Sequence, residues 1–172
     1  GSGKTTQVPQ MLLASGAVDG SIIVLQPRRL ACRLLGRRVA KEMGCSLGDL
    51  VGYQTRHDSK VSAATRICFM TEGLLLRLLL GDPQLKGISA VILDEFHERH
   101  LGGDVVLALL KLLQERSRPD LKMLVMSATL DARLVSGYLE SPVLEAGGRL
   151  HPVDVSYQDV PVDQPVWTGA AR

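Results

Sequence analysis

Aromatic side chains and cysteines are both scarce in this sequence. Only 3% of the 172 residues are Phe, Trp or Tyr, and the cysteines are three in number and widely spaced, at Cys32, Cys45 and Cys68. Zinc and redox motifs use closely spaced pairs of cysteines. Neither kind of site is therefore expected, and the cysteines are predicted to be buried thiols in a reducing compartment.

Long apolar runs and an excess of one charge are also lacking. No stretch approaches the ~18 apolar residues of a membrane-spanning helix, and no charged-then-apolar signal peptide precedes the first motif. The net charge of +2, from 20 basic and 18 acidic residues, neither demands nor excludes a nucleic-acid partner. With 45% hydrophobic residues, the chain is long enough for one globular domain, which we expect in the cytoplasm.

Short apolar runs alternate with helix-like segments along the chain. The strand-like runs are Ser21–Leu25, Thr65–Met70, Ala90–Asp94, Lys122–Ser127 and Val153–Tyr157. The helix-like segments are Thr5–Ala14, Leu30–Met43, Gly73–Leu80, Asp104–Arg116 and about Asp131–Leu139. Such alternation predicts an α/β fold in which a mostly parallel sheet is covered by helices on both faces.

The first residues, GSGKTT, match the end of a phosphate-binding loop, G-x-x-x-x-G-K-[ST]. In such a loop, backbone N–H groups at a helix N-terminus hold the phosphates, while Lys4 would reach the β- and γ-phosphates and Thr5 would bind Mg²⁺. The strand that precedes such a loop would lie upstream of Gly1, so we expect the chain to be a piece of a longer protein. A glycine turn before an ordinary helix is the alternative.

Asp94 and Glu95 directly follow an apolar strand. Because ligands of α/β sheets bind at the carboxyl ends of the parallel strands, Asp94 could meet the Mg²⁺ held by Thr5. Glu95 could then position and polarise an attacking water. Acidic pairs at strand ends are also common helix caps, so each motif is weak alone, and the two reinforce each other.

Seven segments resemble, in order and spacing, the first RecA-like domain of DEAH/RHA helicases. They are GSGKTTQVPQ, QPRRLA, VGYQTR, TEGLLLRLLL, ILDEFHERH, RPDLKMLVMSATLDA and GRLHPVDVSY. DEFH in place of DEAH, followed by ERH, is most similar to the bacterial HrpB-type branch. The resemblance implies a RecA-like P-loop three-layer sandwich over residues 1–157. It also implies a linker over 158–172 toward a second RecA-like domain, which completes the ATP site in this family with arginine fingers.

The resemblance also implies the ATP and Mg²⁺ site. The nucleotide- and metal-binding positions that it implies are Gly1, Ser2, Gly3, Lys4, Thr5, Thr6, Arg38 and Asp94. Glu95 is similar to the family's hydrolytic base, and His97 to the residue that couples the site to the second domain. Because the Arg38 guanidinium would stack on the base, and stacking discriminates bases poorly, we expect a loose nucleotide preference.

A second set of residues resembles the nucleic-acid grip of the family. Arg28 and Arg29 are similar to the pair that holds the sugar-phosphate backbone, and Thr71 with Gly73 to a second backbone clamp. Such contacts position a strand without reading its sequence. Ser127 and Thr129 resemble the relay between hydrolysis and strand movement. The structural alternative for the arginines is a solvated helix start. The alternative for SAT is a strand end followed by a helix cap.

Together these features predict an NTP-dependent helicase motor domain that acts on single-stranded RNA or DNA, with RNA favoured by the family branch. Two alternatives stay open. A P-loop kinase also uses GSGKTT, but it leaves QPRR, TEG and SAT unexplained. A non-catalytic, nucleotide-dependent nucleic-acid-binding module is the other, and we expect the isolated chain to be inactive as an ATPase.

Overall fold

The computed structural model describes residues 3–128, 132–145 and 155. The helices are α1 Lys4–Ala14, α2 Arg29–Glu42, α3 Glu72–Gly81, α4 Leu101–Arg116 and α5 Ala132–Leu139, with a 3₁₀ turn at Phe96–Glu98. The strands are β1 Ser21–Leu25, β2 Val51–Gln54, β3 Ser59–Lys60, β4 Ile67–Met70, β5 Ile88–Leu93 and β6 Lys122–Val125. Helices and strands alternate as the α/β prediction requires.

The six strands of the described residues form one sheet in the order β3-β2-β4-β1-β5-β6. All neighbouring pairs are parallel except β2 with β3. The register sets Leu25 beside Met70 on one side and beside Leu93 on the other, so β1, β4 and β5 end at the same edge. The predicted mostly parallel sheet is confirmed.

The core lies on both faces of β1, because successive side chains of a strand point to opposite sides. Ile22 and Val24 pack with residues of α1 and α2, whereas Ile23 and Leu25 pack with residues of α3 and α4. The sequence of a strand that is covered on both faces is a continuous apolar run. This burial explains why SIIVL could be assigned from sequence.

Two strands, β2 and β3, were not predicted. The sequence of β2, VGYQ, has no continuous apolar run, and β3 is only two exposed residues long. Gly52 permits the pairing: a Cβ built there would lie 2.2 Å from the carbonyl oxygen of Lys60, so the two backbones approach more closely than a side chain allows. The predicted strand at 153–157, apart from Val155, and the linker at 158–172 lie outside the described residues.

The predicted burial is confirmed for two of the three cysteines. Cys32 and Cys68 are buried, and burial raises the pKa of each to about 12, whereas Cys45 is only partly buried. Within the described part of the chain, no helix is both long and apolar enough to cross a membrane.

Candidate nucleotide and nucleic-acid site

The site is built at the carboxyl edge of the sheet. Gln26 directly follows β1, Thr71 follows β4, Asp94 follows β5, and Ser127 lies two residues beyond β6. Helix α1 begins at Lys4, and Thr5 in its first turn contacts Asp94 at this edge. Parallel strands therefore bring together residues from four separate motifs.

Asp94 is the centre of the arrangement, with only 7% of its surface exposed. The Thr5 hydroxyl and the Gln26 amide both donate to Asp94 Oδ2, each at 2.6 Å. The backbone N–H of Glu95 donates to Oδ1 at 2.9 Å. The carboxylate is thus hydrogen-bonded on both oxygens, as a buried charged group must be.

The donor set at Asp94 fits Mg²⁺. This hard cation prefers oxygen ligands and is usually held by one or two carboxylates together with water and substrate phosphates. The Thr5 hydroxyl and the Asp94 carboxylate are two such oxygens within hydrogen-bond distance of each other. The described residues contain no cluster of three or more His, Cys, Asp or Glu side chains that would hold a metal without a substrate.

The loop before α1 turns at Gly3, whose φ of 72° is a left-handed value that glycine adopts at no steric cost. No side chain caps the N-terminus of α1, so it keeps the positive end and N–H groups that suit a phosphate. The buried Thr6 donates its hydroxyl to the Gly3 carbonyl oxygen at 3.2 Å, so Thr6 stabilises the turn. Gly1 and Ser2 lie outside the described residues.

Glu95 adopts an unusual backbone conformation, with φ at 52°. A left-handed conformation at a residue other than glycine costs about 1–3 kcal/mol and is often found at functional sites. The His97 Nδ1 atom lies 3.5 Å from Glu95 Oε2, yet it is buried and has no partner of hydrogen-bond geometry. The two side chains predicted for hydrolysis and coupling are therefore neighbours.

Arg28 shares a cleft with the predicted nucleotide residues. Its side chain is 75% exposed and forms an ion pair with Glu98, with Nη2 3.1 Å from Oε1. A hydrogen bond with His100 and the positive charge of Arg28 lower the pKa of Glu98. The cleft, of about 400 Å³, is lined in part by Thr5, Gln26, Arg28, Glu95 and Glu98.

The other predicted nucleic-acid residues are spread along the same edge. Arg29 is exposed at the first position of α2. Thr71 precedes α3 in an extended conformation without capping the helix through its side chain. A Cβ at Gly73 would meet nothing within 4 Å, so the surface beside this residue is open. Because β4 pairs with β1, Thr71 and Arg28 follow neighbouring strands.

Arg38 does not line the cleft. It lies on α2, where its Nε donates to Glu42 Oε1 at 2.9 Å. The other oxygen of Glu42 accepts hydrogen bonds from two side chains of α1, Gln7 and Gln10. This network places Arg38 beside α1, the helix that follows the phosphate-loop motif. Of the SAT pair, Ser127 lies at the sheet edge, and Thr129 lies outside the described residues.

Gln26 is the site residue that sequence reasoning missed. The motif QPRR drew attention to its arginines, but the glutamine is only 2% exposed and contacts Asp94 directly. A signal was present: a polar residue follows a buried apolar strand and precedes a proline. A buried amide in that position needs a partner.

Comparisons with known proteins give consistent results over nearly the whole chain. The family model described as DEAD/DEAH box helicase matches residues 1–136. The ATP-dependent RNA helicase HrpB of Escherichia coli is 47% identical over 165 residues, which make up 95% of this chain and 20% of that protein. The human ATP-dependent RNA helicase DHX33 is 47% identical over 167 residues, or 94% of this chain and 24% of that protein.

The fold matches as well. A crystal structure of the Escherichia coli DEAH/RHA helicase HrpB superimposes with a TM-score of 0.86 at 45% identity, covering 95% of this chain and 21% of that one. The chain therefore spans roughly a fifth to a quarter of the length of these relatives.

Proposed function

Because the chain belongs to the DEAD/DEAH box helicase family, we propose that it is the first RecA-like motor domain of an ATP-dependent RNA helicase. The domain comprises residues 1–157, and residues 158–172 lead to a second RecA-like domain. It binds and hydrolyses ATP with Mg²⁺ and holds single-stranded nucleic acid by the backbone. The observation that carries the proposal is the 2.6 Å contact between Thr5 and Asp94, at the cleft that Arg28 also lines.

The residues at this cleft have separate roles in hydrolysis. Mg²⁺, when bound with ATP, supplies positive charge that neutralises the phosphate oxygens. Thr5 and Asp94 hold the ion, and Lys4 and the N–H groups at the start of α1 hold the phosphates. Glu95, whose side chain is partly exposed in the cleft, orients the attacking water and accepts its proton. His97 beside it passes the state of the site to the second domain.

The nucleic acid is held by the carboxyl ends of β1 and β4. Arg28 and Arg29 bind phosphates, and Thr71 with Gly73 adds hydroxyl and N–H donors. Ser127 and Thr129 relay hydrolysis to strand movement. RNA is preferred over DNA as the substrate because the relatives above are named RNA helicases. The family match also argues against the P-loop kinase alternative.

The test is phosphate release by the protein that carries this domain in its full helicase core. We expect ATP hydrolysis that depends on Mg²⁺ and rises when single-stranded RNA is added, and that Lys4→Ala abolishes. ATP and RNA binding without phosphate release would favour the non-catalytic binding module. Transfer of phosphate to an acceptor other than water would favour a kinase.

A further inference from the structure

Two side-chain bridges join the end of β1 to the end of β5. The buried bridge is the 2.6 Å hydrogen bond from Gln26 Nε2 to Asp94 Oδ2. The exposed bridge is the ion pair between Arg28 and Glu98, 3.1 Å long. Both bridges connect the segment from Gln26 to Arg28 with the segment from Asp94 to Glu98.

The backbone at the β1 side of the buried bridge is hydrogen-bonded to the segments on both sides of it. The Gln26 backbone N–H donates to the Met70 carbonyl oxygen at 2.9 Å, and the Asp94 N–H donates to the Leu25 carbonyl oxygen at 3.2 Å. Since an ionised carboxylate only accepts hydrogen bonds, the amide nitrogen of Gln26 must face it. Gln26 therefore holds Oδ2 of Asp94 through its side chain, and Gln26 and Arg28 line the same cleft.

The exposed bridge, in contrast, is open to competition. Arg28 is 75% exposed, and a phosphate that binds its guanidinium competes with the Glu98 carboxylate. Only Pro27 separates Arg28 from Gln26, and its ring restricts the backbone rotation that could absorb a movement. Only this short segment, with the φ of Pro27 fixed, links Arg28 to Gln26 along the chain.

From these contacts we propose that Gln26 is a positioning residue that couples the nucleic-acid grip at Arg28 to the orientation of Asp94. The proposal rests on the proposed function, because it takes Asp94 as the metal-binding carboxylate and Arg28 as a phosphate contact. Coupling between two binding sites is reciprocal. Single-stranded RNA must therefore alter the affinity for nucleotide with Mg²⁺ by the same factor as nucleotide alters the affinity for RNA.

The test compares two strand-end glutamines in the full helicase core. Gln26→Met keeps the side-chain length and removes the donor, and Gln54→Met, at the end of β2, is the matched control. The binding of a non-hydrolysable ATP analogue is titrated with Mg²⁺, with and without a single-stranded uridine oligonucleotide. Oligonucleotide binding without nucleotide and the urea unfolding midpoint are measured alongside.

We expect the wild type to show a coupling factor of roughly 5 to 150. Gln26→Met should lower the affinity for Mg²⁺ about 10-fold, as loss of a hydrogen bond to a metal ligand does elsewhere. It should also bring the coupling factor close to one, with oligonucleotide binding alone unchanged, while Gln54→Met keeps the wild-type factor. A merely structural role would lower the unfolding midpoint and leave the coupling intact.

Wild-type coupling in Gln26→Met would overturn the inference and leave the proposed function standing. A wild-type protein that binds no nucleotide with Mg²⁺, or no RNA, would instead contradict the proposed function itself. If Gln26→Met does not fold, Gln26→Asn replaces it, because the shorter amide stays polar but withdraws its donor from Asp94. The same loss of coupling is expected, and its retention would overturn the inference.

Discussion

The Thr5 hydroxyl and the Asp94 carboxylate, 89 residues apart in the chain, meet at 2.6 Å. The contact joins the first turn of α1 to the end of β5, so a loop motif and a strand-end motif that are each weak alone become parts of one site. It also turns Asp94 toward the loop, while Glu95, next in the chain, lines the cleft. Neighbouring carboxylates thus have different surroundings and, we propose, different roles.

The first prediction separates these two roles. Glu95→Gln should keep ATP binding but lower turnover roughly 10²-fold or more, because the amide cannot accept the proton of the attacking water. Asp94→Asn should in addition weaken binding that depends on Mg²⁺. Phosphate release and nucleotide binding are measured in parallel, with Glu115→Gln on the exposed face of α4 as the control. Hydrolysis at the wild-type rate in Glu95→Gln would remove this residue from the mechanism.

The fold was predictable where burial leaves a clear pattern in the sequence. Strand β1 is covered on both faces, so every position of SIIVL except the first is buried and apolar. Strand β2 could not be found this way, because Gly52 and Gln54 interrupt the apolar pattern and its pairing depends on a close backbone approach. A contact between backbones leaves no hydrophobic signal in a single sequence.

The sequence could predict that some of the candidate residues meet, but not the geometry with which they do so. The phosphate-loop and strand-end motifs indicate that Thr5 and Asp94 belong together, and the structure brings them into contact. The left-handed conformation of Glu95 and the contact of Gln26 with Asp94 follow from tertiary packing. Neither feature follows from propensity or spacing, although a polar residue at the end of a buried strand indicates that the Gln26 amide needs a partner.

The second prediction concerns the basic pair at the start of α2. Replacing Arg28 and Arg29 by Ala should weaken the binding of single-stranded RNA by a similar factor for any base sequence, because phosphate contacts do not read bases. The salt dependence of binding should also become less steep, since fewer counterions are released. Arg37→Ala, an exposed arginine of the same helix, is the control.

Titrations with oligonucleotides of several sequences and at several salt concentrations measure both effects. Nucleotide binding in the absence of RNA should change far less than RNA binding in the double variant. Weaker binding to one base sequence alone, or an equal loss in Arg37→Ala, would count against the proposed backbone grip.

The third prediction is a pH dependence at Glu72, the first residue of α3. Burial raises the pKa of its carboxyl group, and the negative charges of Asp104 and Glu98 add to the rise, while His100 and the Gly103 N–H oppose it. A raised pKa in the folded state gives stability below the unfolded value, about 4.3. That stability is lost as the pH rises through the folded value.

Glu72→Gln should therefore be more stable than the wild type at about pH 7 and nearly equal to it at about pH 3, which lies below the unfolded pKa value. The amide oxygen can still accept the hydrogen bond from Gly103. Urea midpoints at both pH values measure the difference, with the exposed Glu115→Gln as control. A stability gain in Glu72→Gln that is the same at both pH values would exclude the carboxylate charge as its cause.

The last prediction concerns the close approach between the two chain segments that lead into β1 and β5. A Cβ built on Gly20 would lie 2.4 Å from the Gly87 carbonyl oxygen and 2.6 Å from Ser89 Oγ, and the Gly20 N–H already donates to that hydroxyl at 2.8 Å. One of the two contacts is with backbone, which cannot rotate away. Gly20→Ala should therefore lower the free energy of unfolding by about 1–3 kcal/mol, the usual cost of overpacking. Gly81→Ala, whose added Cβ would meet nothing within 4 Å, should change the free energy of unfolding by less than about 0.5 kcal/mol or raise it slightly.

Hydrogen exchange of the β1 amides across a urea series reports the stability of this part of the sheet. Equal exchange midpoints for Gly20→Ala and Gly81→Ala would show that the backbone at Gly87 shifts to accommodate a Cβ at position 20. The close approach would then not require glycine there.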